Sequence, residues 1–122
     1  MNEALTQEKS IYLQISEMIE NDILCGILLE EERAPSTNEL SKLYAINPAT
    51  AAKGINILVD AGILYKKRGI GMFVSEGAKE MILKRRRSEF YDRFIKKILQ
   101  EAASIGLGKQ EVIEMIAKAE EE

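Results

Sequence analysis

Apolar residues recur at helical spacing near the start of the chain. Ile11, Ile15, Met18, Ile19 and Ile23 share one stripe of a helix predicted from Ile11 to Leu24. Tyr12 and Gln14 lie off that stripe. Further on, Leu40 and Leu43 give an inward face to a short helix predicted from Thr37 to Tyr44. Its start is written locally: Pro35 restricts Ala34 to extended backbone, and Ser36 followed three residues later by Glu39 is a capping box. Ala45-Ile46 leaves chain only for a tight turn before Asn47, a good N-cap, and Pro48, which fits a first helical turn. A third helix is expected from Pro48 to Ala61. It turns Ala51, Ile55, Leu58 and Val59 inward and Asn47, Ala49, Thr50, Lys53 and Gly54 outward, with Gly62 as its stop.

After Gly62 the period changes from helical to alternating. Ile63-Leu64-Tyr65 and Met72-Phe73-Val74 flank Lys66-Lys67-Arg68-Gly69-Ile70-Gly71, which predicts a hairpin with a basic, glycine-containing tip. Glycine lets a backbone turn tightly and approach a phosphate closely, and the three cations supply the charge that duplex DNA attracts. Helix, turn, helix and basic hairpin is the order of a winged helix-turn-helix. The expected fold is therefore mainly α with a small β-hairpin, and the expected function is DNA binding, with the outward positions of the third helix facing base edges.

Beyond the hairpin, Ser75-Glu76-Gly77 makes a short joint, so residues 1–76 are expected as the winged domain and 77–122 as a two-helix appendage. A long helix is predicted from Ala78 to Ile105, with Phe90, Tyr91, Phe94, Ile95, Ile98, Leu99 and Ala102 as its apolar positions. Gly106-Leu107-Gly108 breaks it, and a last helix from Lys109 to Ala119 carries Val112, Ile113, Met115 and Ile116. Two such helices cannot bury their own stripes or enclose a sizeable ligand pocket. Burial against a second copy removes the apolar area from water, so a homodimer is expected with Phe90, Phe94, Ile98, Val112, Ile113 and Ile116 at its core. The bland alternative is that the helices fold back on their own winged domain. A dimer would read two half-sites at once, which makes an inverted repeat the expected operator. An effector would have to lie in a crevice between subunits or between tail and winged domain, and the residues name none. Lys84-Arg85-Arg86-Arg87 covers more than half of a helix circumference, so part of it is a solvated face and part is open to phosphate.

Composition changes the picture in two ways. The chain has 122 residues, is 46% hydrophobic and carries a net charge of −3, which by itself counts against a polyanion. The distribution reverses that reading: residues 1–39 carry −7, 40–78 carry +3, 79–100 carry +5 and 101–122 carry −4. Positive charge is concentrated from the third helix through the hairpin into the long helix, and such polarity orients a protein on DNA. The chain also has no histidine, no paired-cysteine spacing, no phosphate-cradling glycine loop and no activated serine setting, so no enzyme, metal site or cofactor is expected. The lone Cys25 cannot form an internal disulfide and reads as a buried thiol beside Leu24. MNEALTQEKS has neither a basic start nor an apolar stretch, so no signal peptide or membrane span is expected and the cytoplasm is the expected location.

From Ile11 to Val74 the chain resembles the N-terminal domain of the GntR family of bacterial transcription regulators. The pattern runs IYxQI, a Gly, PSxxEL, a Thr in the next helix, then GxGxFV. Here it reads IYLQI at Ile11 to Ile15, Gly26, PSTNEL at Pro35 to Leu40, Thr50, Ala61-Gly62 and RGIGMFV at Arg68 to Val74. Asn47-Pro48 followed by Thr50, with the short tail, looks most like the YtrA subfamily. The resemblance implies DNA contact by Ser36, Thr37 and Asn38, by Asn47, Ala49, Thr50 and Lys53, and by Lys66, Lys67, Arg68, Gly69 and Gly71. The expected mechanism is a repressor that blocks promoter access by occupying an operator, with activation left equally open by the residues, and the likeness to YtrA implies a transporter operon as target. Tyr12 in IYLQI is open to two roles, approach to a phosphate or plain packing.

Departures from the family pattern sharpen a second reading. Many members carry an Arg at the position of Asn38, where it reaches DNA. Basic residues after the Thr are reduced to Lys53 behind Ala51 and Ala52, and Glu30-Glu31-Glu32 replaces a Pro-Gly segment. An Arg bidentate to guanine is worth roughly 1–3 kcal/mol of discrimination. Asn38, Ala49, Ala51 and Ala52 therefore motivate the alternative of a winged protein-interaction module that has lost sequence-specific DNA binding.

Overall fold

The computed structural model describes Leu5 and residues 10–120; most of the N-terminal stretch read above for a leader lies outside them. The chain divides into two compact units, 1–84 and 85–122. The first holds α1 (Ile11–Leu24), α2 (Thr37–Tyr44), α3 (Pro48–Asp60), β1 (Leu64–Lys67), β2 (Gly71–Val74) and the first turns of α4 (Ala78–Phe90). Its core gathers Ile15, Ile19, Ile23, Leu40, Ile55, Leu58, Ile63, Leu64, Val74, Ala78 and Ile82. Ala78 and Ile82 are fully buried there, which carries the first unit past the joint expected at residue 76.

The helix starts follow the local signals. The Glu39 amide donates to Ser36 Oγ at 3.1 Å, and the Ser36 amide donates to Glu39 Oε1 at 3.2 Å. The Ala49 amide donates to Asn47 Oδ1 at 2.8 Å, with Pro48 in the first turn. These side chains satisfy amides that a helix start otherwise leaves unpaired. α2 ends at Ala45 in the left-handed region, φ 51°.

Three expectations about facing are corrected. Leu40 is buried but Leu43 is 64% exposed. With only two turns, α2 has one inward line, and Tyr44, four residues after Leu40, packs against the core in place of Leu43. Gly54, expected outward, is buried against α1. It stands three residues after the buried Ala51 and so shares that face, but glycine carries no hydrophobic signal. Cys25 is exposed because α1 ends at Leu24 and the cap residue turns outward, its Sγ donating to the Asn21 carbonyl at 2.7 Å. α1 is also buried more broadly than its apolar stripe, for Gln14, Ser16 and Glu20 are enclosed as well.

β1 and β2 pair antiparallel in the register Leu64↔Val74, Tyr65↔Phe73, Lys66↔Met72 and Lys67↔Gly71. The segment before α2 lies along β2. The Glu31 amide donates to the Val74 carbonyl at 2.8 Å, the Val74 amide to the Glu32 carbonyl at 2.9 Å, and the Ala34 amide to the Met72 carbonyl at 2.8 Å.

In the second unit the expected uninterrupted helix from Ala78 to Ile105 is broken in hydrogen-bonding pattern by a π-helical turn, Tyr91–Ile95, followed by α5 (Lys96–Ser104). α6 (Lys109–Lys118) follows the glycine break. Ala102 and Val112 are buried, whereas Phe90, Phe94, Ile98, Ile113 and Ile116 are exposed. Among the described residues no helix is long and apolar enough to cross a membrane.

Candidate nucleic-acid interface

Exposed positions at the start of α3 are Asn47 and Ala49, then Lys53 one turn on; Thr50 is half-buried and Ala51 fully buried. Lys53 is the one basic residue of this helix, and its ammonium stands 4.0 Å from the centroid of the Tyr12 ring. Tyr12 is half-buried at the start of α1. The contact follows from the crossing of α1 on α3, where Ser16 Oγ donates to the Gly54 carbonyl at 2.6 Å.

The start of α2 and the hairpin meet. Ser36, Thr37 and Asn38 line a concavity of about 250 Å³ together with Ile55, Lys66, Gly71 and Met72. Alternation along the hairpin explains which cation reaches it. Leu64 and Val74 face the core, so Lys66 and Met72 share that face, next to α2. Lys67 belongs to the opposite face with Tyr65 and Phe73, and its ammonium lies 4.1 Å from the Phe73 centroid and 5.8 Å from that of Tyr65. Arg68 and Gly69 form the exposed tip, with Gly69 at φ 78°. The structure thus brings Ser36, Thr37, Asn38, Lys66 and Gly71 together, places Lys53 against α1, and turns Lys67 to the other side of the hairpin.

Electrostatics at this surface is set by hydrogen bonds. The Ser36 amide and then its hydroxyl hold the Glu39 carboxyl below its ordinary pKa, with Arg33 adding a smaller attraction. Tyr65 donates its hydroxyl to Glu31 Oε2, and that bond raises the phenol's pKa. Arg33 carries no motif signal, and Glu31, read above only as part of an acidic run, is found here bonded to the hairpin. The Arg33 guanidinium lies against Gly71, where an added Cβ would stand 3.0 Å from Arg33 Nε. Both residues sit in a segment that joins β2 through main-chain bonds, which leave no side-chain periodicity to read. The nearest signal is a cation two residues before Pro35.

Capped helices, a tight turn and a glycine-tipped hairpin define this surface, and residues 11–74 match the model of the bacterial regulatory proteins of the gntR family. The chain belongs to the GntR family. Its similarity extends past the winged unit. The HTH-type transcriptional repressor YtrA of Bacillus subtilis is 28% identical over 106 residues, 87% of this chain and 81% of that protein. The crystal structure of a GntR-family transcriptional regulator from Bacteroides thetaiotaomicron is 35% identical, with a TM-score of 0.69, covering 88% of this chain and 94% of that one. The DNA-binding domain of AraR, solved in complex with operator ORX1, is 32% identical with a TM-score of 0.52, covering 62% of this chain and 92% of that one. This GntR chain is accordingly a helix-turn-helix transcriptional regulator with the winged fold expected from its pattern.

Proposed function

We propose that this GntR chain is a homodimeric repressor that occupies an inverted-repeat operator in double-stranded DNA. In this reading the winged unit, which extends to residue 84, binds DNA, and the helices beyond it hold the dimer together. The observation that carries it is the concavity shared by Ser36, Thr37, Asn38, Lys66 and Gly71, which sets the start of one helix and the turn end of the hairpin to receive the same stretch of backbone. Asn47, Ala49 and Thr50 present the start of α3 to base edges, while Lys53 one turn on and the exposed tip at Arg68 and Gly69 face flanking phosphates. The operator complexes of AraR support the choice of ligand. Exposed Phe90, Phe94, Ile98, Ile113 and Ile116 support the dimer, with Val112 shaping its surface from beneath. Resemblance to YtrA supports repression, and the target we infer from that resemblance is a transporter operon.

The test is a salt series of binding to the DNA upstream of the chain's own gene against a scrambled duplex of equal length. The proposal expects a preference for the upstream duplex that survives at physiological salt, with affinity falling linearly on logarithmic axes. Lys53→Ala combined with Arg68→Ala is expected to weaken binding and flatten that slope by about two, because each cation that neutralises a phosphate adds close to one to it. Equal binding to both duplexes would favour the interaction-module reading.

A further inference from the structure

Lys53 stands alone as the cation of α3, and the structure gives it a support that its own helix does not supply. Its ammonium lies over the face of Tyr12, 4.0 Å from the ring centroid. We infer that Tyr12 is a positioning residue for DNA binding, acting through Lys53 and not by its own contact with a phosphate. The inference rests on the DNA reading above and names how α1, outside the helix-turn-helix proper, enters recognition.

The argument begins with the crossing of the two helices. Gly54 leaves α3 with no side chain where α1 passes. A Cβ there would stand 2.7 Å from the Tyr12 carbonyl oxygen and 3.0 Å from Ile15 Cβ. Ser16 closes the same crossing with its hydroxyl on the Gly54 carbonyl. Tyr12, Ile15 and Ser16 of α1 therefore fix the helix pair at Gly54. Lys53 is the residue before Gly54, so the fixed crossing delivers the Tyr12 ring to its side chain.

A lysine has four rotatable side-chain bonds and loses much of their freedom when it binds a fixed phosphate. An aromatic face attracts the ammonium through its quadrupole. Unlike a carboxylate, it brings no opposite charge, so the lysine retains its whole attraction for DNA. Tyr12 thereby orders Lys53 before DNA arrives. The same position matters here because Ala51 and Ala52 precede Lys53 and no neighbouring cation on α3 can substitute for it.

The test is a double-mutant cycle on the full chain, read by fluorescence anisotropy with the upstream duplex, using Tyr12→Leu, Tyr12→Phe, Lys53→Met and Tyr12→Leu with Lys53→Met. Tyr12→Leu is expected to weaken binding about two- to fivefold, the size of an exposed cation–π contact. Tyr12→Phe keeps the ring and is expected to restore wild-type affinity. In the Lys53→Met background, Tyr12→Leu is expected to change nothing further. In the protein without DNA, NMR is expected to show ring-current shifts on the Lys53 side-chain methylenes that persist in Tyr12→Phe and vanish in Tyr12→Leu. Should Tyr12→Leu melt below the assay temperature, Tyr12→Met takes its place in the cycle.

Independent, multiplying effects of the two substitutions would overturn the inference, since Tyr12 would then act by another route. Equal weakening by Tyr12→Phe and Tyr12→Leu would also overturn it and assign the hydroxyl to a phosphate. If Lys53→Met weakens specific binding and Tyr12→Leu does not, the positioning role fails while the DNA reading stands. If the wild-type chain shows no preference for the upstream duplex, the DNA reading fails and takes this inference with it.

Discussion

Gly54 of α3 and Tyr12 of α1 are locked together through the Tyr12 main chain: a Cβ on Gly54 would stand 2.7 Å from the Tyr12 carbonyl oxygen. Alanine is a better helix former than glycine by up to about 1 kcal/mol, so Gly54→Ala would stabilise an isolated α3. Here the neighbour is backbone, which cannot rotate away, and relieving the clash means separating helices whose facing residues are fully buried. Overpacking of this kind costs about 1–3 kcal/mol. The expected net result is a loss of up to about 2 kcal/mol, the clash outweighing the propensity gain. Thermal melts check it: a melting temperature at or above wild type would mean that α1 shifts without cost.

The reciprocal cap of α2 makes an acid-sensitive prediction. Ser36→Ala removes the hydroxyl that accepts from the Glu39 amide, and loss of such a cap costs about 1 kcal/mol. Glu39 has its pKa lowered in the folded chain, from an ordinary value of 4.5. Its contribution is therefore present above the unfolded pKa and is lost as pH falls through the lower folded value. Melts of wild type and Ser36→Ala between about pH 7 and pH 3 are expected to show the larger gap at neutral pH and a narrowing gap in acid. The carboxylate is exposed, which keeps this effect small. A gap that widens in acid would contradict the assignment.

Much of the winged fold was legible because its signals are local. Ser36 with Glu39 and Asn47 with Pro48 specify where helices begin without reference to the rest of the chain, and Leu64 to Val74 alternate as a hairpin must. What escaped depends on neighbours distant in sequence. Gly54 looks like a weak spot in a helix until α1 is laid across it. Leu43 and Tyr44 are equally plausible inward residues until the core chooses the one four positions from Leu40. Arg33 and Glu31 reach the hairpin through main-chain pairing with β2, which any side chains could accompany. The π-helical turn at Tyr91–Ile95 leaves no mark in the apolar spacing. Candidate DNA contacts were legible as a set, but only strand register separates Lys66, beside α2, from Lys67, on the aromatic face.

Asn38 offers a gain-of-function prediction. It is exposed in the first turn of α2, beside the concavity that Lys66 and Gly71 complete. Asn38→Arg places a planar cation beside that concavity. It is expected to tighten binding to the upstream duplex by about tenfold, within the roughly 1–3 kcal/mol of one good bidentate contact. The salt slope is expected to steepen by about one if the new group meets a phosphate and to stay unchanged if it meets a base. Unchanged affinity on every duplex would place the start of α2 away from DNA.

The second unit leaves Phe94 48% exposed, its ring 5.4 Å from that of Phe90, on the wall of an open groove of about 590 Å³ that also includes Ile98, Ile105 and Ile116. Covering such a surface with a second copy contributes roughly 25 cal/mol per Å² of apolar area removed from water. A carboxylate placed there removes the ring's apolar area and adds a charge that a covering copy would have to desolvate, a cost that pairing with Arg93 or Lys97 on the same groove offsets only in part. Phe94→Glu is therefore expected to sediment as a monomer where the wild type sediments as a dimer. The core of residues 1–84 does not use Phe94, so the melting of that unit is expected to be unchanged. Monomeric protein forfeits the joint engagement of two half-sites, and affinity for a full operator is expected to fall by about a hundredfold or more while affinity for a single half-site holds. A wild-type chain that sediments as a monomer would sink the dimer. A variant that stays dimeric would move the interface off Phe94 to another face of these helices.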